Sequence, residues 1–207
     1  LDEYNPRKTK LKLQPREYMY GVAAALLSYV AIAVIFPDFY AAVFVVVAVA
    51  ANAAYSIPPL RLKEHPPFDV LGGPASYLSA LLAGYVVAGG FWPHPVAVVA
   101  GLLFFCGIDL AFKTLDIEAD ARGGISTSAT VLGRTVALLC SGVLVSGAGV
   151  LMSLFSLLYG LAVLPYLAII AVLNNANNDT ARKALDARLP LYYFAVGFAV
   201  TLLYWIL

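Results

Sequence analysis

Charged residues are scarce in this chain of 207 residues. Lys, Arg, Asp and Glu make up 12% of it, whereas hydrophobic residues make up 62%. An ordinary soluble domain carries about 25% charged residues. The charges sum to +1 at pH 7, and no basic run is interleaved with aromatic residues. The composition therefore argues against a soluble domain and against a nucleic-acid partner.

Cysteine and histidine are also nearly absent, with two of each. Cys106 and Cys140 both lie inside apolar runs, so we expect buried free thiols rather than a disulfide framework. His65 and His94 are isolated from each other and are predicted to lie on opposite sides of a membrane. This separation argues against a histidine-based metal site.

Long apolar runs are what the chain has in abundance. A helix that crosses a bilayer core about 30 Å thick needs about 20 mostly apolar residues. Seven runs approach or exceed this length: 18–36, 39–57, 70–92, 96–115, 129–155, 157–173 and 189–207. Because lipid offers no partner to backbone amides, such spans must be helical. We therefore predict an all-α fold, a polytopic transmembrane helical bundle forming a single domain over residues 1–207.

The charged residues are segregated along the chain. Four polar segments alternate with three short connections, and Asp38 is the one formal charge in those connections. The polar segments are 1–17, 58–69, 113–128 and 174–188. With seven spans they all fall on one side, which the positive-inside rule assigns to the cytoplasm. These segments also carry ten of the twelve acidic residues, and Asp109 lies near the same end of the fourth span. A topology signal alone does not require these carboxylates.

An acidic turn follows the fourth predicted span. Asp109, Asp116 and Asp120 are spaced i, i+7, i+11, and a continuous helix would place them on one face. Asp116 and Asp120 form a like-charge i, i+4 pair, which destabilises a helix unless a cation neutralises it. Carboxylates suit Mg²⁺, and an ionisable group as deep as Asp109 is a functional candidate. Two simpler interpretations stay open: a solvated turn, or an Asp109–Lys113 pair that does nothing else. Glu118 points away from this stripe.

The segment after the acidic turn combines glycine with hydroxyl residues. Gly123 and Gly124 are expected to end the helix, and the Ser/Thr run over residues 126–130 is expected to cap the next one. The N-terminus of that next helix would favour an anion.

A basic loop follows the second predicted span. Pro58 and Pro59 are expected to end the helix after Tyr55. Arg61 and Lys63 alternate with leucines, so we expect an extended segment in which both cations face one way. Cations held like this suit phosphate oxygens. The alternative is a simple positive-inside anchor.

These two loops resemble those of the UbiA superfamily of intramembrane prenyltransferases. The stretch from Asp116 to Asp120 and onward through Gly-Ile-Ser-Thr-Ser-Ala-Thr-Val-Leu-Gly looks like the family's second aspartate motif, D-x-x-x-D. The stretch Tyr55-Ser-Ile-Pro-Pro-Leu-Arg-Leu-Lys63 looks like its Y-S-x-P-x-x-x-K diphosphate loop. Asp109 matches an aspartate seven residues before the motif, although Ile108 stands where the family has tyrosine. The sequence of this motif most resembles that of the branch that prenylates carotenoids such as lycopene. Archaeal ether-lipid and quinone prenyltransferases are close alternatives.

The front of the chain departs from the family pattern. Family members have nine transmembrane helices, whereas we count seven. The opening from Asp2 to Lys8 resembles the end of the first aspartate motif, so the resemblance implies that two helices and part of that motif precede it. We therefore expect the natural protein to be longer.

The resemblance implies a Mg²⁺-dependent transfer of a prenyl group from an isoprenyl diphosphate, such as geranylgeranyl diphosphate, to a lipophilic acceptor among the membrane lipids. It implies three groups of site residues. The metal would be held by Asp2, Asp116 and Asp120; the diphosphate by Lys8, Ser56, Arg61, Lys63 and Arg122; and Asp109 and Tyr55 would be catalytic.

Two other classes of membrane protein share some of these features. CDP-alcohol phosphotransferases are also Mg²⁺-dependent membrane proteins, but their D-G-x-x-A-R signature is missing. An ion-coupled transporter could use Asp109, but seven spans without an internal repeat argue against it.

Overall fold

The computed structural model describes residues 39–57, 59–90 and 93–175, together with the single positions 20, 27, 31 and 34. The chain forms two compact units, residues 1–170 and 171–207, and the candidate site lies in the first. The predicted spans 18–36 and 189–207 lie outside the described residues, as do Asp2 and Lys8.

Every regular element within the described ranges is helical, as predicted. The α-helices are α1 (Phe39–Ser56), α2 (Asp69–Val87), α3 (Pro95–Lys113), α4 (Ile117–Arg122), α5 (Ser128–Leu132), α6 (Arg134–Ser153), α7 (Leu157–Leu161) and α8 (Leu164–Asn175), with a 3₁₀ turn at Leu62–Glu64.

Five stretches of the described residues are long and apolar enough to cross a membrane. They are α1, α2, α3, α6 and Leu157–Asn174, which comprises α7 and most of α8. Each coincides with a predicted span, so the polytopic architecture is confirmed for this part of the chain. Large apolar side chains on the outer faces, such as Val143 and Val150 on α6, are about two-thirds or more exposed. Such surfaces suit lipid rather than water.

Small residues allow α3 and α6 to approach closely. A Cβ added at Gly107 would lie 2.7 Å from Val145 and 2.9 Å from the carbonyl oxygen of Ser141. The buried Ser141 hydroxyl donates a 2.6 Å hydrogen bond to the carbonyl oxygen of Gly107. Close packing and interhelical hydrogen bonds of this kind drive helix association in lipid, where the hydrophobic effect gives no help.

The polar ends of the first helices meet at one end of the bundle. The Lys113 ammonium at the end of α3 lies 5.6 Å from the centre of the Tyr55 ring in the last turn of α1. The first residue of α2, Asp69, contacts both Lys113 and Ser128 at the start of α5. The loops that leave these helix ends therefore share one face, as the charge pattern predicted.

Candidate active site

Asp69 lies at the centre of the polar end of the bundle, although its side chain is fully buried. Its Oδ2 accepts a 2.9 Å hydrogen bond from the backbone amide of Ser128, and its Oδ1 accepts one from the Ser128 hydroxyl. A buried carboxylate is tolerated only when it is hydrogen-bonded and paired. Ser128 supplies the hydrogen bonds from a segment 59 residues further along the chain.

Lys113 supplies the opposite charge. Its ammonium donates a 2.6 Å hydrogen bond to the backbone carbonyl of Asp69 and lies 3.8 Å from the Asp69 carboxylate. It also forms an ion pair with Asp109, one helical turn earlier on α3. The predicted Asp109–Lys113 pair is present, but Lys113 does more than neutralise Asp109, because it joins two carboxylates from different helices.

Tyr55 packs into the same cluster. A Cβ added at Gly72 would lie 2.9 Å from the Tyr55 ring, and one added at Gly73 would lie 3.8 Å from that ring and 3.9 Å from a carboxylate oxygen of Asp109. The absence of side chains at these two glycines lets the ring approach α2. Lys113 already lies over this ring, and the catalytic role of Tyr55 stays a prediction.

The acidic stripe differs from its predicted geometry. The helix that carries Asp109 ends at Lys113, and the amides of Thr114, Leu115 and Asp116 each bond the carbonyl three residues back. This tightening interrupts the helix between Asp109 and Asp116, so the continuous helix on which the i, i+7 alignment depends is absent. The i, i+4 relation of Asp116 and Asp120 survives, because the Asp120 amide bonds the Asp116 carbonyl at 2.8 Å.

The end of α4 confirms the role predicted for the glycines. The amide of Gly124 bonds the carbonyl of Ala121, and the amide of Ile125 bonds that of Asp120. These two bonds make a Schellman motif, which needs a left-handed residue, and Gly124 has φ +68°. The short helix that carries Asp120 therefore ends sharply after Arg122.

The hydroxyl run also caps the next helix, as predicted. Thr127 is the N-cap of α5 and forms a capping box with Thr130. The anion expected at this N-terminus is the chain's own Asp69 carboxylate, which accepts the Ser128 amide. The Asp69 carboxylate thus already occupies the anion position at the N-terminus of α5.

Two carboxylates of the described residues could hold a metal ion. Asp116 and Asp120 are half-buried, and the Oδ1 oxygen of Asp116 is buried. No group of three or more metal-ligating side chains occurs in the described ranges. Mg²⁺ typically takes one or two carboxylates and completes its shell with water and substrate phosphates. Two hard oxygen donors one turn apart fit that pattern, and Asp2 lies outside the described residues.

The basic loop is compact rather than extended. Arg61 has a left-handed backbone (φ 39°, ψ 51°), and the Leu62–Glu64 segment forms a 3₁₀ turn. The prediction that Arg61 and Lys63 face one way from an extended segment was therefore wrong. The loop joins two neighbouring helix ends over a short distance, and it satisfies its own amides through bonds such as Glu64 to Arg61 and His65 to Leu62. Arg61 also forms a 3.0 Å ion pair with Glu64.

The remaining diphosphate candidates lie on the same polar end. Ser56 is exposed at the end of α1, and Lys63 is half-buried. Arg122 is exposed and lies 3.4 Å from Glu118 across one turn of α4. The diphosphate-binding roles of these residues stay predictions, as does that of Lys8 outside the described residues.

Sequence reasoning missed Asp69 and underrated Lys113. Asp69 lies at the border between a polar segment and an apolar run, where a carboxylate is an ordinary helix-starting residue. Its partners are 44 and 59 residues away, so no local spacing points to it. The signal that was available is a charge directly before Val70, at the start of a membrane-length run.

These features define a polytopic membrane protein with clustered carboxylates and cations at one end of its helices. The chain belongs to the UbiA prenyltransferase family, whose sequence pattern matches residues 5–189. This confirms the resemblance drawn from the two loops. Neither the CDP-alcohol phosphotransferase nor the transporter alternative has an observation in its favour.

Three similar proteins carry the same name. The chain is 35% identical to a lycopene elongase/hydratase of Halobacterium salinarum over 80% of its own length and 61% of the relative's. It is 28% identical to a lycopene elongase/hydratase of Corynebacterium glutamicum, over 98% and 75% of the two lengths. A third, of Haloarcula japonica, is 32% identical over 65% and 47%. No solved structure matches the chain significantly.

Proposed function

We propose that the protein transfers a prenyl group from an isoprenyl diphosphate to a lipophilic acceptor within the membrane, in a reaction that depends on Mg²⁺. The bond between the allylic carbon and the diphosphate oxygen breaks, and its electron pair leaves with the diphosphate. An electron pair of the acceptor then forms the new bond to that carbon, and the positive charge left on the acceptor is removed by loss of a proton or by addition of water. The protein must stabilise the departing charge and exclude water from the allylic cation.

The chain's own residues divide this work between them. Asp116, Asp120 and Asp2 would hold Mg²⁺, which when bound offsets the charge of the diphosphate. Arg61 and Lys63 would contact the diphosphate oxygens, together with Lys8, Ser56 and Arg122. Asp109 and Tyr55 lie next to Gly73 and Lys113, and the reacting carbon would enter beside them.

The observation that carries the proposal is the contact between the ends of α1 and α3. The basic loop starts after Tyr55, and the acidic turn starts after Lys113, whose ammonium lies 5.6 Å from the Tyr55 ring centre. The cationic loop and the acidic turn, far apart in sequence, therefore leave the bundle from neighbouring points. A metal–diphosphate group needs both kinds of residue within reach.

The proposal also covers the acceptor and the side of the membrane on which the site lies. The relatives' name supports an acyclic carotenoid such as lycopene as the first acceptor to test. The concentration of basic residues in the polar segments supports a cytoplasmic position for the site.

The test measures prenyl transfer by the full-length protein in lipid nanodiscs. Labelled isoprenyl diphosphates of several lengths, geranylgeranyl diphosphate among them, are supplied with lycopene and with other lipophilic acceptors. We expect a prenylated product that requires Mg²⁺ and that is reduced at least 100-fold by Asp116→Ala, in line with the loss of a metal ligand. Transfer without any divalent cation, or full activity of the Asp116→Ala variant, would refute the assignment.

A further inference from the structure

Asp69 has the features of a residue that organises the site without binding metal. Its side chain is fully buried, and both carboxylate oxygens are taken by Ser128, the amide on Oδ2 and the hydroxyl on Oδ1. Lys113 approaches the same Oδ2 to 3.8 Å. Both oxygens are therefore hydrogen-bonded inside the protein, and the side chain presents no exposed surface to a metal ion in solution.

The partners of Asp69 lie directly next to the acidic turn on both sides. Lys113 is three residues before Asp116 and is joined to it by the tight turn at Thr114 and Leu115. Ser128 begins α5, eight residues after Asp120, and the Schellman motif at Gly124 connects the two. Asp69 therefore contacts the segment that holds Asp116 and Asp120 at both of its ends.

Asp69 is also attached to the basic loop. It is the first residue of α2, and its amide bonds the carbonyl of His65, which follows the 3₁₀ turn at Leu62–Glu64. One carboxylate and its backbone thus connect the loop that carries Arg61 and Lys63 with the segment that carries Asp116 and Asp120.

We propose that Asp69 is a positioning residue, which sets the acidic turn at a fixed distance from the basic loop through Ser128 on one side and Lys113 on the other. This inference rests on the proposed function, because it concerns the geometry of the same metal–diphosphate site. Substitution of a residue that holds a metal ligand in place typically changes metal affinity or activity by about 10- to 100-fold. A displacement of about 1 Å in a reacting geometry has effects of similar size.

The test compares the wild type with Asp69→Asn and Ser128→Ala in nanodiscs. Asparagine has nearly the same shape and still accepts a hydrogen bond from Ser128, but it loses the charge that faces Lys113. Ser128→Ala removes the hydroxyl and leaves the amide. Ser141→Ala is the matched control, because that hydroxyl is equally buried and bonds another helix at Gly107, away from the acidic turn.

The main readout is binding rather than turnover. Geranylgeranyl thiolodiphosphate, an analogue that does not ionise, is titrated at increasing Mg²⁺ concentrations, and thermal stabilisation of the protein reports its binding. We expect the Mg²⁺ concentration for half-maximal stabilisation to rise about tenfold in Asp69→Asn and about threefold in Ser128→Ala. In turnover, the KM for the diphosphate should rise while the KM for the acceptor stays unchanged. Ser141→Ala should lower the melting temperature without changing the Mg²⁺ requirement.

The outcomes separate the two proposals. If the wild type binds the analogue and transfers prenyl groups, and the folded variants keep the wild-type Mg²⁺ requirement, the positioning role is refuted and the proposed function stands. If Asp69→Asn does not fold, Ser128→Ala decides by the same criterion. If the wild type neither binds the analogue nor transfers a prenyl group, the proposed function fails and the positioning role fails with it.

Discussion

Lys113 is one ammonium shared between two carboxylates. It pairs with Asp109 on its own helix and reaches Asp69 on α2, and its side chain is only 12% exposed. Removing one member of a buried charged group leaves the others uncompensated, which costs about 3–5 kcal/mol. The three residues thus form one unit, and single substitutions within it are expected to be strongly non-additive.

Within the acidic turn, neighbouring carboxylates are predicted to have unequal roles. Asp120→Asn should reduce prenyl transfer at least 100-fold, because it removes one of the two donors proposed for Mg²⁺. Initial rates in nanodiscs at saturating substrate measure the effect.

Glu118→Gln is the control for this prediction, since it lies two residues away on the same short helix. Its side chain is 61% exposed and forms an ion pair with the exposed Arg122. Surface pairs contribute about 0–1 kcal/mol, so activity should stay within about twofold. Equal losses in Asp120→Asn and Glu118→Gln would contradict the assignment of the metal donors.

At the scale of single residues, the sequence predicted pairs of residues one helical turn apart. It missed contacts between residues that are distant along the chain. The Asp109–Lys113 and Asp116–Asp120 relations follow from helical spacing alone, and the structure has both. The contact of Asp69 with Ser128 depends on how α2 meets the start of α5, which is a property of tertiary packing. Local spacing carries no information about it.

At the scale of elements, the structure depends on where helices stop. Apolar runs predicted the five described spans to within a few residues, because membrane-length hydrophobicity is a strong signal. The end of α3 at Lys113 had no such signal, since neither proline nor glycine follows it. The 3₁₀ turn after Arg61 was likewise hidden, because an alternation of leucines and cations is compatible with an extended segment as well as with a turn.

The contact between α3 and α6 gives a second prediction. Gly107→Ala should destabilise the protein by about 1–3 kcal/mol, as overpacking of a tight core does. The added methyl would lie 2.7 Å from Val145 and 2.9 Å from the backbone oxygen of Ser141, and backbone cannot move aside easily. The melting temperature of the purified protein in detergent measures the change.

Gly142→Ala is the matched control on the facing helix. A Cβ there meets nothing within 4 Å, and alanine is the better helix former by about 1 kcal/mol. Its melting temperature should be unchanged or raised. A Gly107→Ala variant as stable as the wild type would contradict the packing described for these helices.

At the scale of the whole molecule, the described helices place polar loops at one end and short connections at the other. Glu118 lies at the polar end, and Leu154, which is 71% exposed, lies just past the far end of α6. In intact cells a membrane-impermeant maleimide should label Leu154→Cys but not Glu118→Cys, and permeabilisation should make the second reactive. This result follows from the positive-inside rule applied to the charged segments.

Labelling of the wild type measures the contribution of its two native cysteines to this experiment. Cys106 is buried and Cys140 is half-buried, so both should react slowly in the folded protein. Labelling of Glu118→Cys from outside intact cells would reverse the proposed orientation and place the site on the opposite side of the membrane.

The burial of Asp69 also has a consequence for how the protein is made. During synthesis α2 is complete before Ser128 exists, because Ser128 comes 59 residues after Asp69 and the whole of α3 lies between α2 and Ser128. The nascent chain therefore carries a charged group at the head of an inserted helix while its hydrogen-bond donors are still inside the ribosome. That group must stay in contact with water until α5 arrives. Final docking of α2 against its neighbours is thus a late event, which follows the insertion of α3.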